Sequence, residues 1–277
     1  MKIVKIRLNK KALVGAVIIL FFILIAILAP LLAPYDPHEF VGTPYSKPTS
    51  KYILGLDRMG RDILSQLIYG TRLSLIVGLT TGALMTSISL LIGMTAGYFG
   101  GIVDRILSTI IDVFMVIPGL PLMIVIASYI RLRGVVPIIL VISFTSWAPG
   151  ARVIRAQTLT MRNREFILAS KITGEKSVRI IFSEILPNML SLISSDFFMA
   201  CLTAIVGEAS LEFLGFGDVS AITWGTMLYW AQNSSALLNN AWGWVLAPGI
   251  AIATLGASFA LLNFSIDELT NPKLREV

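Results

Sequence analysis

Few residues in this sequence have chemistry to offer, and most of them can be assigned by elimination. One histidine, His38, and one cysteine, Cys201, exclude a His-rich metal site, Ser–His catalysis within an apolar interior and an internal disulfide. His38 follows Pro37 in a Pro-rich stretch and reads as a solvated loop residue. Gly174-Glu175-Lys176-Ser177 resembles the end of a phosphate-binding loop, but such a loop needs Gly directly before Lys and another Gly five residues earlier, and this sequence has neither. The stretch is therefore not read as a nucleotide site. Two carboxylates remain, Asp112 and Asp196, each inside an otherwise uncharged apolar run. An unpaired carboxylate at such a position costs about 2.5–3.5 kcal/mol on an insertion scale. Asp196, with Ser194 and Ser195 beside it, must then face protein or water, either as the wall of a polar path or as a structural hydrogen-bonding group. Asp112 lies about two turns into its run, where Arg105 can approach, and an ion pair between them is expected.

The elements that must hold these groups are membrane helices. The chain has 277 residues, 56% apolar and 14% charged, whereas soluble domains run at about 45–50% and 25%. A water-soluble globule is excluded. Ala12–Ala33 is an uncharged run of 22 residues, too long for a signal-peptide core and without a small-residue cleavage site. Further apolar runs fall at Leu73–Ala96, Ile106–Ile130, Val135–Ala148, Met189–Val206 and Val245–Phe264. None shows period-two alternation, and lipid requires each segment to satisfy its own backbone, so the reading is six helices, the fourth short. Pro118 and Pro121 should bend the third helix, and Gly93 and Gly97, four apart, permit close helix packing.

With the N-terminus inside, 15 Lys and Arg fall on the cytoplasmic side and 7 outside, so both termini are expected in the cytoplasm. The net charge of +6 is therefore read as charge held at one membrane face, not as a nucleic-acid surface. Trp224, Trp230, Trp242 and Trp244 share the last outer segment and suggest an interfacial aromatic belt. The chain divides into residues 1–34 with the first span, an external segment 35–72 with a surface helix from Asp62, and a core of five helices over 73–277. Within that core, residues 150–188 form a long loop. From Ala151 to Arg164 basic and apolar residues alternate, too charged for lipid. A short helix follows over Glu165–Ser170, Gly174 breaks it, and a second runs from Val178 to Leu186 and ends at Pro187.

Leu168-Ala169-Ser170, Gly174 and Glu184-Ile185-Leu186-Pro187 resemble, in residue type and spacing, the "EAA" loop of permease subunits of ATP-binding-cassette importers. Leu168 replaces the usual Glu, so its charge contact does not transfer, and Glu165, one turn earlier, is the substitute. More specific blocks run through the chain in family order. They are Leu54–Asp62, Gly70–Leu75, Gly97–Gly101, Glu208-Ala209-Ser210-Leu211-Glu212-Phe213-Leu214-Gly215, Trp224–Leu228 and Asn271–Arg275. These are similar to the second permease subunit of oligopeptide and dipeptide importers, a branch that also carries nickel and oligosaccharides.

The resemblance implies an all-α polytopic membrane protein of the prokaryotic inner membrane, with the six-helix fold of type I importer permeases. It would hold no cofactor, metal or catalytic residue and bind no nucleic acid. Its implied partners are a homologous permease, two cytosolic ATPases that bind ATP and Mg, and an extracytoplasmic solute-binding protein. Glu165, Ala169, Ser170, Gly174, Leu186 and Pro187 would form the ATPase-coupling surface; Asp196, Ser194 and Ser195 are the candidates for the path. The alternative is an autonomous ion-coupled transporter using Asp112 and Asp196 as carriers, which would not require a projecting hairpin.

Overall fold

A computed structural model describes residues 10–130 and 134–270. Lys2, Lys5, Arg7, Arg131, Arg133 and the tail block Asn271–Arg275, all used above, lie outside the described residues. Within them the chain is helical, and its only pairing of extended backbone is an isolated bridge between Leu56 and Asp62.

Helix α1 (Lys10–Leu32) is apolar all round and buries only Gly15, Phe22 and Ala29, a seam with a spacing of seven residues. A Cβ on Gly15 would lie 2.8 Å from the Ser258 carbonyl oxygen, so glycine lets α1 approach the last helix closely. The Phe22 ring meets Trp224 edge-on at 5.5 Å. Between α1 and the next helix, the Leu54–Asp62 block folds into a turn held by Asp57. Its Oδ1 accepts from the backbone N–H of Met59 at 2.7 Å and Arg61 at 2.9 Å, and its Oδ2 from Gln66 Nε2 at 3.0 Å. Asp62 then caps α2 (Ile63–Phe99), accepting from Ser65 N at 2.8 Å.

The surface helix expected from Asp62 is thus the first part of α2, a single helix of 37 residues. At 1.5 Å per residue it is roughly 55 Å long, well beyond the ~30 Å hydrocarbon layer. It is the central column, packed by α1 and by α3, α5, α6, α10, α11 and α12, whose ranges follow.

Two spans are broken. α3 (Gly101–Val116) and α4 (Gly119–Tyr129) meet at 92° across Ile117 and Pro118, and α5 (Val135–Ser146) and α6 (Ala148–Met161) meet at 46° at Trp147. Pro118 has no N–H to continue α3, which accounts for the first break. At the second, the Trp147 carbonyl accepts from Ser89 Oγ on α2 at 2.7 Å, which ties the break to α2. The short fourth helix of the sequence reading is therefore the first half of a longer bent span. The alternating stretch from Ala151 is mostly α6, with Ala151, Ile154, Thr158 and Met161 buried.

α7 (Glu165–Ile172) leads to α8 (Ser177–Arg179), a π-helical turn (Ile180–Ile185) and α9 (Leu186–Asn188). The helix expected to end at Pro187 runs through it, because Pro187 sits in the first turn of α9, where no N–H is required. α10 (Leu190–Phe213), α11 (Trp224–Asn233) and α12 (Trp242–Thr270) complete the chain. Among the described residues four helices are long and apolar enough to cross a membrane, and each bent pair counted as one span brings the number to six. The tryptophan belt is only partly surface. Trp224 and Trp244 are buried, and Trp242 is exposed.

Candidate functional site

Three features could bear function: a hairpin on one face of the bundle, a cavity at the two breaks, and a buried carboxyl pair toward the other face.

The hairpin is α7, Gly174 and the helical stretch 177–188. The Glu175 N–H bonds the Ser170 carbonyl at 3.1 Å and the Gly174 N–H bonds the Lys171 carbonyl at 3.1 Å, which closes α7 in a Schellman motif. That motif needs a left-handed residue, and Gly174 supplies it with φ +79°. Ile167, Ile180 and Ile185 point inward and pack with Met94 and Tyr98 of α2 and with Ile154 and Met161 of α6. Phe166, Leu168, Ile172, Val178 and Phe182 are left exposed on the outside. Glu165, Ala169, Gly174 and Pro187 are exposed with them, while Ser170 and Leu186 are half-buried. Beside the hairpin, a cavity of about 700 Å³ is lined by Met161, Asn163, Arg164, Glu165, Phe166 and Asn188.

The arginines before the hairpin are engaged within the bundle. Arg152 pairs with Asp112, replacing Arg105 as the expected partner. Arg155 grips Asp104 with two bonds, Nε to Oδ1 and Nη2 to Oδ2, the latter at 2.7 Å. Arg162 Nη1 donates to the carbonyls of Gly97 at 3.3 Å and Tyr98 at 3.2 Å, at the C-terminal end of α2 where a cation complements the helix dipole. Together they tie α6 to α2 and α3. A close glycine seam holds the same joint: a Cβ on Gly93 would lie 2.6 Å from the Ala151 carbonyl oxygen, and one on Gly97 would lie 2.6 Å from Thr158 Cβ.

Asp196 lies at the second break. Its carboxylate sits so close over Gly150 that any Cβ there would collide with it. It lines an open-sided cavity of about 420 Å³ with Met85, Ser89, Phe114, Trp147 and Met199, among others. Asp196 Oδ2 is buried without a hydrogen-bond partner, and the Thr86 hydroxyl faces the carboxylate without closing a bond of normal geometry. Ser194 and Ser195 do not line this cavity. Ser194 Oγ bonds back to the Leu190 carbonyl at 2.9 Å, and Ser195 is buried.

The carboxyl pair, Glu208 and Glu212, was quoted above only as part of a block. Both are almost wholly buried on α10, one turn apart, and among the described residues neither has an ion-pair partner. Ser74 Oγ donates to Glu208 Oε1 at 3.1 Å and itself accepts from Trp224 N at 3.2 Å. Thr223 Oγ1 donates to Glu212 Oε2. Thr223 is also the N-cap of α11 in a reciprocal capping box with Thr226. Glu212 thus holds the turn that starts α11. Gly217 and Gly225 are small where its side chain passes: a Cβ on either would lie 2.7 Å from it.

Residues 89–276 match the family of binding-protein-dependent transport system inner membrane components, and residues 4–48 match the N-terminal transmembrane domain of oligopeptide transport permease C. The dipeptide transport system permease protein DppC of Haemophilus influenzae is 35% identical over 97% of this chain and 92% of its own length. The oligopeptide transport system permease protein OppC of Bacillus subtilis is 33% identical over 98% of this chain and 88% of its own. Among solved structures, the MetNI methionine ABC transporter in inward-facing form superposes with a TM-score of 0.59 at 18% identity, covering 75% of this chain and 95% of that one. That likeness shows the fold: two bent spans packed on continuous helices, with a helical hairpin at one end, is the architecture of a type I importer permease. Nothing in these matches favours an ion-coupled transporter, and Asp112, paired with Arg152, is not a free carrier. The chain belongs to the binding-protein-dependent transport system inner membrane component family, as a non-catalytic permease subunit of an ATP-binding-cassette importer in the oligopeptide and dipeptide permease branch.

Proposed function

We propose that this subunit forms half of the translocation path of a peptide importer. It pairs with a homologous permease, receives peptide from an extracytoplasmic binding protein, and is driven by two cytosolic ATPases that hold ATP and Mg. The observation that carries the reading is the hairpin. Its inner face is fixed to α2 and α6 by Ile167, Ile180 and Ile185, while Phe166, Leu168, Ile172 and Phe182 form an apolar surface with nothing on it in the isolated subunit. On this reading the ATPases seat on that surface, with Glu165, Ala169, Ser170, Gly174, Leu186 and Pro187 at or beside the contact. Both termini and the hairpin lie in the cytoplasm of a prokaryotic inner-membrane protein, as the charge bias favours.

Alternating access then has a physical route. ATP-driven closure moves the hairpins, α6 follows because its arginines bind it to α2 and α3, and the breaks at Trp147 and Pro118 let the halves of the bent spans swing. Asp196, at one break, would face the moving path; Ser194 and Ser195 would flank it on the same helix.

Replacing Gly174 tests the reading. A Cβ at Gly174 meets nothing within 4 Å, so Gly174→Val strains only the backbone at φ +79°, at about 1–2 kcal/mol. The variant should insert normally but lose ATPase capture or uncouple substrate-stimulated hydrolysis from uptake in the reconstituted complex. Ser177→Val, on the same hairpin, should not. Full coupling in Gly174→Val would refute transmission through this turn.

A further inference from the structure

We infer that the cavity at the two helix breaks is a subsite for a positively charged amino group, with Asp196 as its counter-charge and methionines as its adaptable wall. Among the residues lining it, Asp196 alone carries a charge. Its Oδ2 is buried without a hydrogen bond of normal geometry, the Thr86 hydroxyl lies alongside, and no basic side chain lines the cavity. A carboxylate kept in an apolar layer with no basic partner is costly, and the adjoining geometry makes room for it. Gly150 removes the Cβ that would displace the carboxylate, and the first turn of α6 places the positive end of a helix dipole beside it. The remaining lining is apolar and soft, with Met85, Met115, Met123 and Met199 contributed by four different helices. Unbranched thioether side chains repack around ligands of different shape. One fixed negative charge against a deformable apolar wall suits a molecule with an invariant ammonium and variable side chains, which is the chemistry of a peptide's N-terminal residue. An anion would be repelled, and a neutral solute would leave Asp196 unpaired.

The inference rests on the proposed peptide-import reading, and the test separates the two. In the assembled complex with Cys201→Ala, a reporter cysteine at Met199 is labelled with a cationic and with an anionic methanethiosulfonate reagent. A reporter at Thr203, which lines the same cavity, is the second choice should Met199→Cys fail to assemble. Changing Asp196→Asn should lower the cationic-to-anionic rate ratio by about tenfold or more, the worth of one charge-assisted contact. A dipeptide with a free amino group should slow labelling in the Asp196 protein, and the same peptide N-acetylated should not. An unchanged ratio in Asp196→Asn, or equal protection by both peptides, overturns the ammonium subsite. Wild-type uptake of the dipeptide is measured in parallel, and its absence overturns the peptide reading. If a simple alkylammonium still protected the reporter in that case, the charge subsite would stand without the peptide.

Discussion

Enlarging Gly93 or Gly97 probes the joint between α2 and α6. In Gly93→Ala the new methyl would sit 2.6 Å from the Ala151 carbonyl oxygen and 3.0 Å from Ile154 Cβ; in Gly97→Ala it would sit 2.6 Å from Thr158 Cβ and 2.8 Å from the Arg155 carbonyl oxygen. Ordinary contacts lie near 3.5 Å, so α6 must retreat by roughly 0.7–1 Å in either case. In both the methyl meets a backbone carbonyl and a Cβ, neither of which a rotamer change can move, so the clash cannot be relieved that way. Overpacking of this kind costs about 1–3 kcal/mol. One retreat of α6 relieves both clashes, so the double variant should cost clearly less than the sum of the singles, with a coupling of about 0.5–3 kcal/mol. Gly249→Ala is the control: it lies within α12, with nothing within 4 Å of its added Cβ, and should gain about 0.5–1 kcal/mol from reduced backbone freedom. The assay is denaturant-titrated unfolding of the purified subunit in mixed micelles, followed by tryptophan fluorescence. Neutral singles, strictly additive losses, or an equal loss in Gly249→Ala would each show that the glycine seam is not what sets the helix separation.

Glu212→Gln should preserve the turn before α11, because an amide oxygen still accepts from Thr223. Glu212→Leu strands that buried hydroxyl and should cost about 1–3 kcal/mol, seen as faster proteolysis between residues 214 and 223. Asp62→Ala removes the cap of α2 and its bond to Ser65; a loss of about 1 kcal/mol should appear as faster hydrogen exchange confined to the first turn of α2. Single cysteines at Asn163 and Asn233, in a chain with Cys201 replaced, should label with an impermeant reagent from the cytosolic and external sides respectively; reversed labelling would invert the orientation.

What could be read in the sequence was local. The uncharged run of α1 declares a span by its length alone, and the turn at Gly174 shows because a glycine after a short apolar-faced helix has few other uses. Pro118 marked the place of a bend, though not its 92°. The rest depended on partners distant in the chain. Arg152 and Arg155 made α6 look too polar to pack beside a span, because Asp112 and Asp104, 40 and 51 residues earlier, cancel those charges only in three dimensions. Glu208 and Glu212 could be quoted but not explained, since Ser74 and Thr223, the hydroxyls that bind them, come from other helices. Pro187 signalled a helix end, whereas its position in the first turn of a new helix carries the chain through.

The seam between α1 and α12 has a consequence in time. Helix α1 packs mainly on α12, which is made much later, and Gly15 meets Ser258 across a separation that spans most of the described residues. At about 5–20 residues per second, α1 waits roughly 10–40 s for α12 to be synthesised. In water, the apolar face that α12 will cover would be a hazard for that long. In lipid it is already solvated, because hydrocarbon is as apolar as its own side chains. A chain truncated before α12 would leave that face of α1 uncovered, with the Gly15 seam exposed.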